Sequence, residues 1–212
     1  MQGGDPCVSF NLREASVTDY LSALSERTPT PGGGAVAGTS LATAAAIAHM
    51  AIVFSKGRES LAAFDAQHDE ALIALKNMQA RGLELAEADA RAYAQLNTLW
   101  KLPKDDPSRT TNWDDAVEAA IAAPAQVMET GVELLALLER LIQATSPMLR
   151  SDLAVAAITA EAAIRSAAWN VRINLPSVGN PDLATEHRSR MESRLDSGQR
   201  TAAAVEAGCQ SS

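Results

Sequence analysis

Apolar residues recur every three or four positions along most of this chain, which is the spacing of a helix with one buried face. A capping-box pattern at residues 16–19 predicts a short helix to about residue 27. Longer helices are predicted over residues 34–55, 59–100, 113–144, 146–175 and 181–205. Pro124 predicts a kink, or a helix boundary at Ala123. No stretch alternates as a strand does, so the pattern indicates an all-α, up-and-down helical bundle.

These elements divide the chain into one domain and two tails. Residues 16–205 form the predicted helical domain, residues 1–15 a loosely held N-terminal tail and residues 206–212 a polar C-terminal tail. Residues 101–112 are rich in proline and aspartate, so we expect a loop there. Residues 59–100 form either one long helix or two helices stacked nearly end to end. The 212 residues are enough for one substantial core.

A proline- and glycine-rich segment precedes the second predicted helix. Residues 28–38 read TPTPGGGAVAG, so three consecutive glycines stand directly before an alanine-rich run. Glycine amides can approach a ligand closely, and the exposed N–H groups of a helix start favour a carboxylate, a phosphate or a polar ring. The same residues also fit a plain loop and cap with close helix packing. The segment is therefore a candidate binding loop with a structural alternative.

One acidic residue interrupts the apolar pattern of the long helix. Steps of seven residues place Asp89 on a core-facing seam, and Gly82 lies two turns earlier on it. A carboxylate at such a position is either paired with an arginine or asparagine of a neighbouring helix, or its pKa rises because burial disfavours the charge. A raised pKa would suit Asp89 to acid–base catalysis near neutral pH, and Gly82 would leave room for a substrate. The pattern favours neither alternative.

A second stripe, of small and polar residues, runs along the helix predicted over residues 146–175. Its members are Asp152, Ala156, Thr159, Ala163, Ser166 and Asn170. Asn174 lies one turn beyond Asn170, so the two amides share a face and offer both donors and acceptors to a polar ring. The stripe fits a polar pocket or close helix packing, and the helix dipole also accounts for Asp152 near the helix start. Candidate partners for an acidic ligand tail are Lys56, Arg58, Arg150, Arg165 and Arg172.

Composition narrows the class of protein. A formal charge of −8 argues against nucleic acid and against an anionic membrane surface as partners. The longest apolar run, residues 35–54, is interrupted by glycine and polar residues and predicts a buried helix instead of a membrane span. No secretory signal opens the chain. Cys7 and Cys209 are far apart and the histidines are scattered, so we expect a metal-free cytoplasmic protein.

Four motifs occur in an order that resembles the cyclodeaminase/cyclohydrolase family. They are PTPGGG at residues 29–34, ADARAY at 88–93 with LPK at 102–104, SDL at 151–153 and NVRINL at 170–175. Each motif alone is weak, whereas four in register over about residues 16–205 are specific. The family comprises the C-terminal domain of formiminotransferase-cyclodeaminase and the stand-alone bacterial methenyltetrahydrofolate cyclohydrolases.

The resemblance implies an all-helical homodimer that binds a reduced folate and needs no cofactor beyond this tetrahydrofolate substrate. The implied site residues are the catalytic Asp89 and, for substrate binding, Pro31, Gly32, Gly33, Gly34, Arg58, Asp152, Asn170 and Asn174. This chain departs from many relatives after Arg58, where Glu59 and Leu61 replace a second basic residue and an aromatic. Recognition of the glutamate tail is therefore an open question.

The activity implied by the resemblance is hydrolysis of 5,10-methenyltetrahydrofolate to 10-formyltetrahydrofolate, with Asp89 transferring the protons. Hydrolysis is favoured because no formiminotransferase half precedes the helical domain. One alternative is a formiminotetrahydrofolate cyclodeaminase that releases ammonia. A further alternative is a non-catalytic helical protein that binds folate or dimerises. Whether two subunits share the site, and whether product passes on to a dehydrogenase, are not determined by the residues alone.

Overall fold

A computed structural model describes residues 11–210, and over this range the chain folds into six α-helices without a strand. The short α1 spans Val17–Ser25. The five longer helices are α2 (Gly33–Ser55), α3 (Asp65–Trp100), α4 (Pro107–Leu141), α5 (Arg150–Asn174) and α6 (Pro181–Gln210). Short 3₁₀ segments occupy Glu59–Phe64, Pro147–Leu149 and Leu175–Ser177. The prediction of an all-α fold is confirmed.

The start of α4 differs from the prediction. Residues 107–112 are helical, although the proline and aspartate content of residues 101–112 predicted a loop. Asp106 caps this helix because its side chain accepts hydrogen bonds from the backbone N–H groups of Ser108 and Arg109. Pro107 then occupies the first helical turn, where a missing N–H costs nothing. A cap followed by proline begins a helix here, where the composition predicted a loop.

Other helix boundaries also differ from their predicted positions. Helix α4 continues through Pro124 instead of ending at Ala123. Residues 59–100 divide into a 3₁₀ segment and one 36-residue helix. Helix α6 extends to Gln210, past the end predicted at residue 205. The N-terminal tail lies mostly outside the described residues, as does Cys7.

Consecutive long helices run antiparallel, as in an up-and-down bundle. The start of α2 lies beside the second half of α3, where Gly34 meets Asp89. Helix α5 runs antiparallel to α2, because Gly33 lies against Asn170 while the backbone N–H of Ser146 donates to Ser55 Oγ at the other end. Helix α5 also packs between α4 and α6. The two helices that carry the glycine loop and the asparagine pair are therefore direct neighbours.

The seams predicted for the long helix face the core. On the first seam, His68, Leu75 and Leu96 are fully buried. Ala71 and Leu85, which lie on a companion seam of the same seven-residue spacing, are buried as well. Apart from His68, these residues belong to one continuous apolar core with α2, α4 and α5. Asp89 is thus carried into the bundle by its position on a helix whose other seam residues are mostly apolar.

Helices α2 and α3 cross at two glycines. A β-carbon built on Gly38 would lie 2.6 Å from the carbonyl oxygen of Gly82, and one built on Gly82 would lie 2.7 Å from the backbone nitrogen of Ala42. Backbone atoms occupy the space that any side chain would need. This close approach holds the start of α2 against α3 and so positions Asp89 beside the glycine loop.

Among the described residues, α2 and α4 are long and apolar enough to cross a membrane on length and composition alone. Their mean hydropathies are 1.7 and 1.3, and about half of each apolar window is buried inside the bundle, 50% and 56% respectively. The core helices of soluble proteins meet the same criterion. The many alanines of α2 keep its hydropathy high, although glycine and polar residues interrupt its apolar run.

Candidate active site

The carboxylate of Asp89 lies directly against the first turn of α2. A β-carbon built on Gly34 would lie 1.9 Å from Asp89 Oδ2 and 2.3 Å from Oδ1. Only glycine leaves the space that this carboxylate occupies. The glycine loop and the acidic residue, 55 positions apart in the sequence, therefore form one feature of the structure.

Asp89 is the acidic residue whose environment is most unusual. Over residues 11–210 it makes no hydrogen bond and no ion pair, while the neighbouring Glu87 pairs with Arg13 and Arg91. Burial without a compensating cation raises the pKa of Asp89 to about 6. The side chain nevertheless keeps partial exposure. Of the two alternatives left by the sequence pattern, a structural ion pair and a desolvated carboxylate, the structure has the second.

The start of α2 presents backbone N–H groups beside this carboxylate. Gly32 is the N-cap residue and supplies no side-chain hydrogen bond, and the first intrahelical bond is donated by the N–H of Val36 to the carbonyl of Gly32. The N–H groups that precede it have no partner within the helix. Pro31 is buried and is joined to Thr30 by a cis peptide bond. The loop therefore offers donors for the polar edge of a ligand.

Asn170 closes the other side of the glycine loop. Its Oδ1 lies 3.4 Å from a β-carbon built on Gly33, and its Nδ2 donates to the carbonyl of Ser166 at 3.0 Å. The oxygen thus faces the loop while the nitrogen is occupied by the helix. Gly33, Gly34, Asp89 and Asn170 form a cluster, which we call the glycine–aspartate cluster.

Asn174 is buried one turn further on and serves mainly to join two helices. Its Nδ2 donates to the carbonyl of Ala120 on α4 at 3.2 Å and to that of Asn170 at 3.0 Å. Both donor hydrogens are therefore used by backbone oxygens. Asn174 lies next to the glycine–aspartate cluster and holds α5 in place behind it.

Two predicted site residues lie at the opposite end of the bundle. Arg58 follows the C-terminus of α2, some 35 Å from the glycine loop at a rise of about 1.5 Å per residue, and its Nε donates to the carbonyl of Phe54 at 2.9 Å. Asp152 lies in the first turn of α5, 18 residues or roughly 27 Å before Asn170. A single subunit does not bring either residue to the glycine–aspartate cluster.

A groove that the sequence analysis did not anticipate lies under α1. Its cavity measures about 450 Å³ and its walls include Tyr20, Thr39, Leu83 and Thr159. The Tyr20 hydroxyl lies 3.1 Å from Thr39 Oγ1, and burial raises the pKa of this phenol. Thr39 is only five residues after Gly34, so the groove opens within about 8 Å of the cluster along α2. The sequence signal that could have revealed this groove is the group of hydroxyl side chains in the first half of α2.

The fold and this site define a helical bundle in which a half-buried carboxylate, without a cation partner in residues 11–210, lies against a glycine-rich helix start. The family model described as formiminotransferase-cyclodeaminase matches residues 16–193. The chain belongs to this family. The predicted resemblance is therefore confirmed over most of the chain.

Named relatives fall into two groups of different length. Formimidoyltransferase-cyclodeaminase of Rattus norvegicus is 31% identical over 199 residues, which are 92% of this chain but only 37% of that protein. The methenyltetrahydrofolate cyclohydrolase of Methylorubrum extorquens is 25% identical over 184 residues, covering 85% of this chain and 88% of that protein. The chain thus spans about a third of the first relative and most of the second.

The fold also matches a solved structure. The crystal structure of formiminotetrahydrofolate cyclodeaminase from Thermotoga maritima superposes with a TM-score of 0.86 and covers 93% of this chain and 97% of the other. At 22% sequence identity this likeness shows the shared fold.

Proposed function

We propose that this protein hydrolyses 5,10-methenyltetrahydrofolate to 10-formyltetrahydrofolate. The observation that carries the proposal is Asp89, a carboxylate without a cation partner over the described residues and with a pKa raised to about 6. Such a group can accept and return a proton near neutral pH. A relative that is matched over 88% of its own length is named a methenyltetrahydrofolate cyclohydrolase, which supports hydrolysis.

The chemistry requires proton transfer more than activation of the substrate. The carbon between N5 and N10 is part of a cationic amidinium and is already electrophilic. Asp89 removes a proton from water as the oxygen bonds to this carbon, which gives a neutral tetrahedral adduct. The protonated Asp89 then returns its proton to N5 as the carbon–N5 bond breaks. The adduct hydroxyl loses its proton to solvent, so the net reaction consumes water and releases one proton.

The glycine loop and Asn170 would orient the substrate for this reaction. The N–H groups at the start of α2 are suited to a carbonyl or ring nitrogen of the pterin, and Asn170 Oδ1 is suited to a ring N–H. Gly34 would allow the substrate and the Asp89 carboxylate to share one small space. No cofactor beyond the folate is required by this scheme, because the electrophile is supplied by the substrate.

A second candidate activity is the cyclodeaminase reaction. In it N10 attacks the 5-formimino carbon, and a protonated carboxylate assists the departure of ammonia. The relatives named formimidoyltransferase-cyclodeaminase favour this alternative, since their matched regions cover 79–92% of this chain. Asp89 would serve either reaction from the same position.

The proposal extends to the setting of the enzyme. We infer that the protein is a cytoplasmic homodimer. It binds a reduced folate and binds neither nucleic acid nor membranes. The formal charge of −8 supports the exclusion of polyanions and anionic lipid. Large exposed apolar residues on α2 and α5 support a second subunit.

One assay separates the candidate functions. The purified protein is mixed with methenyltetrahydrofolate, and loss of the methenyl absorbance is followed. A parallel reaction with formiminotetrahydrofolate is assayed for ammonia. Turnover of the first substrate in preference to the second supports hydrolysis, and the reverse supports the cyclodeaminase. A folate that raises the melting temperature without being turned over would identify a binding protein and contradict both enzymatic proposals.

A further inference from the structure

The groove under α1, which we call the α1 groove, has walls without charge. Its cavity of about 450 Å³ lies between α1, α2 and α3. The side chains that line it, all within residues 11–210, are apolar or carry a hydroxyl or an amide, and none carries a formal charge. Burial of an ion against such walls is costly, whereas a neutral ring with a few hydrogen-bonding groups fits them. The α1 groove is therefore suited to a neutral ligand.

Tyr20 forms the α1 wall of this groove and is held there by a hydrogen bond to α2. Thr39 Oγ1 directs its only hydrogen at the carbonyls of Ala35 and Val36, which lie 2.8 and 3.1 Å away. The Tyr20 hydroxyl must therefore donate to Thr39 Oγ1 across their separation of 3.1 Å. This bond fixes the tip of the phenol on α2, so the aromatic ring bridges α1 and α2 beside the cavity.

Helix α1 can move away from the α1 groove at little cost. None of the nine residues of α1 is buried, and the helix makes few contacts with the longer helices. Val17 and Leu21 are 76% and 55% exposed, although both line the groove. An apolar occupant would cover these side chains and would hold α1 against the bundle. The loose packing of α1 thus gives a ligand a way into the groove.

The α1 groove begins beside the glycine–aspartate cluster. Thr39 lies five residues after Gly34 on α2, and Leu83 lies six residues before Asp89 on α3. These separations correspond to about 8 and 9 Å along the two helices. Gln79 lies one turn beyond Leu83 on the same face of α3, so its amide stands at the end of the groove farther from Asp89. A ligand that reaches the Asp89 carboxylate can therefore continue into the groove.

We propose that the α1 groove binds a neutral aryl amide and that Tyr20 positions this group. In the proposed reaction the group is the benzoyl amide of the folate, which is bonded to N10 of the reacting ring. The Tyr20 ring and Leu83 would pack against the aryl ring, and Gln79 would exchange hydrogen bonds with the amide. The cationic reacting ring and the anionic glutamate do not match uncharged walls. The assignment to folate rests on the proposed function, whereas the preference for a neutral aryl amide does not.

Thr43→Trp tests the α1 groove by filling it. Thr43 lines the groove and is exposed, so a tryptophan there would occupy the cavity without entering the apolar core. KM for methenyltetrahydrofolate should rise at least about tenfold, while kcat should stay within about twofold because Asp89 is not moved. Thr185→Trp is the matched control and should leave both constants unchanged. Like Thr43, Thr185 is an exposed helical residue whose hydroxyl donates to the carbonyl four residues earlier.

Two substitutions of Tyr20 separate the ring from its hydrogen bond. Tyr20→Ala should raise KM by about tenfold, and Tyr20→Phe, which keeps the ring, by about threefold at most. An unchanged KM in both Tyr20→Ala and Thr43→Trp would overturn the proposal and leave the proposed hydrolysis intact. A changed oligomeric mass of Thr43→Trp by light scattering, with KM unchanged, would assign the groove to a second copy of the chain and would also overturn it.

A binding experiment tests the α1 groove without turnover. Isotope-labelled protein is titrated with p-aminobenzamide and, as the charged control of the same ring, with p-aminobenzoate. Backbone amide resonances of Tyr20, Thr39 and Leu83 should shift with p-aminobenzamide, and p-aminobenzoate should bind at least about tenfold more weakly. Equal affinities, or the same shifts in Thr43→Trp, would overturn the proposal. An inactive wild-type protein that binds p-aminobenzamide in the groove would support the groove and contradict the folate proposal alone.

Discussion

The two ends of the α2–α5 pair differ in how their polar groups are satisfied. At the Ser55 end, Ser55 Oγ donates to the carbonyl of Ala51 at 2.7 Å and accepts from the N–H of Ser146 at 2.9 Å. His68 Nε2 lies 2.7 Å from the carbonyl of Ala144 nearby, while its Nδ1 has no hydrogen-bond partner in the described part of the chain. At the Gly33 end, the half-buried carboxylate of Asp89 has no partner among the described residues. The first end leaves a neutral ring nitrogen without a partner, whereas the second carries the electrostatic cost of a desolvated carboxylate.

This comparison is tested most strongly by replacing Asp89. Asp89→Asn keeps the shape of the side chain and removes the base, so turnover should fall on the order of 10²-fold or more. In the wild type, kcat/KM should rise as the pH increases through about 6, because the base must be ionised, and then level off. This limb of the pH profile should be absent in the variant.

The control is Asp105→Asn, an exposed loop carboxylate, which should leave both the rate and the profile unchanged. A near-wild-type rate for Asp89→Asn would remove Asp89 from the mechanism.

Gly34→Ala should impair the Gly33 end of the α2–α5 pair by filling space that Asp89 occupies. The added methyl group would overlap the Asp89 carboxylate, so the carboxylate must move and turnover should fall by roughly ten- to a hundredfold, in line with misplacement of a catalytic group by about 1 Å. Gly33→Ala adds the same methyl group at 3.4 Å from Asn170 Oδ1, an ordinary contact, and its effect should be smaller. Steady-state kinetics of the two variants provide the comparison. Equal losses would show that loop flexibility matters more than the space at Gly34.

Asp89→Asn should also stabilise the protein, with a defined pH dependence. The folded pKa of about 6 exceeds the ordinary 3.8, so the folded state holds its proton more tightly than the unfolded state does. The unfolding free energy of the wild type therefore falls as the pH rises from 3.8 to about 6. At higher pH the folded protein bears the full cost of burying the ionised carboxylate. The variant should be more stable by about 1–3 kcal/mol at pH 8 and by little at pH 4. Urea unfolding at both pH values measures this, and an equal difference at the two would contradict the desolvated carboxylate.

The smallest expected effect lies at the Ser55 end. Ser55→Ala leaves the buried N–H of Ser146 without its acceptor and should cost about 1–2 kcal/mol of unfolding free energy. Turnover should stay at the wild-type level, because the change is far from Asp89. Ser25→Ala removes only an exposed hydrogen bond to the carbonyl of Leu21 and should cost less than about 0.5 kcal/mol. A loss of activity without a loss of stability in Ser55→Ala would contradict the division between the two ends.

Helix periodicity predicted most of the fold because burial in a bundle repeats along each helix. The seams through Leu75 and Leu85 and the capping box at Ser16 were readable from spacing alone. The errors lie where local chemistry outweighs composition. Asp106 and Pro107 start a helix within a segment whose composition predicted a loop, and Pro124 is accommodated inside α4. A cap or a tolerated proline depends on the hydrogen bonds that form, which composition does not describe.

The candidate site was predictable residue by residue, but its assembly was not. The seam argument singled out Asp89, and the glycine loop was visible as a motif. Spacing along separate helices could not show that Gly34 lies against Asp89 while Arg58 lies about 35 Å from the loop. The distance between residues on different helices depends on how the helices cross.

The sequence by itself determined that this chain forms helices, which faces they bury and which polar residues interrupt those faces, because these properties are local and periodic. The tertiary structure decided that Asp89 meets the start of α2 without a cation, and that Asp152 lies at the other end of α5, roughly 27 Å from Asn170. Both depend on the close Gly38–Gly82 crossing and on the antiparallel packing of α2 and α5. Such contacts are set by the geometry of packed helices, which no single helix contains.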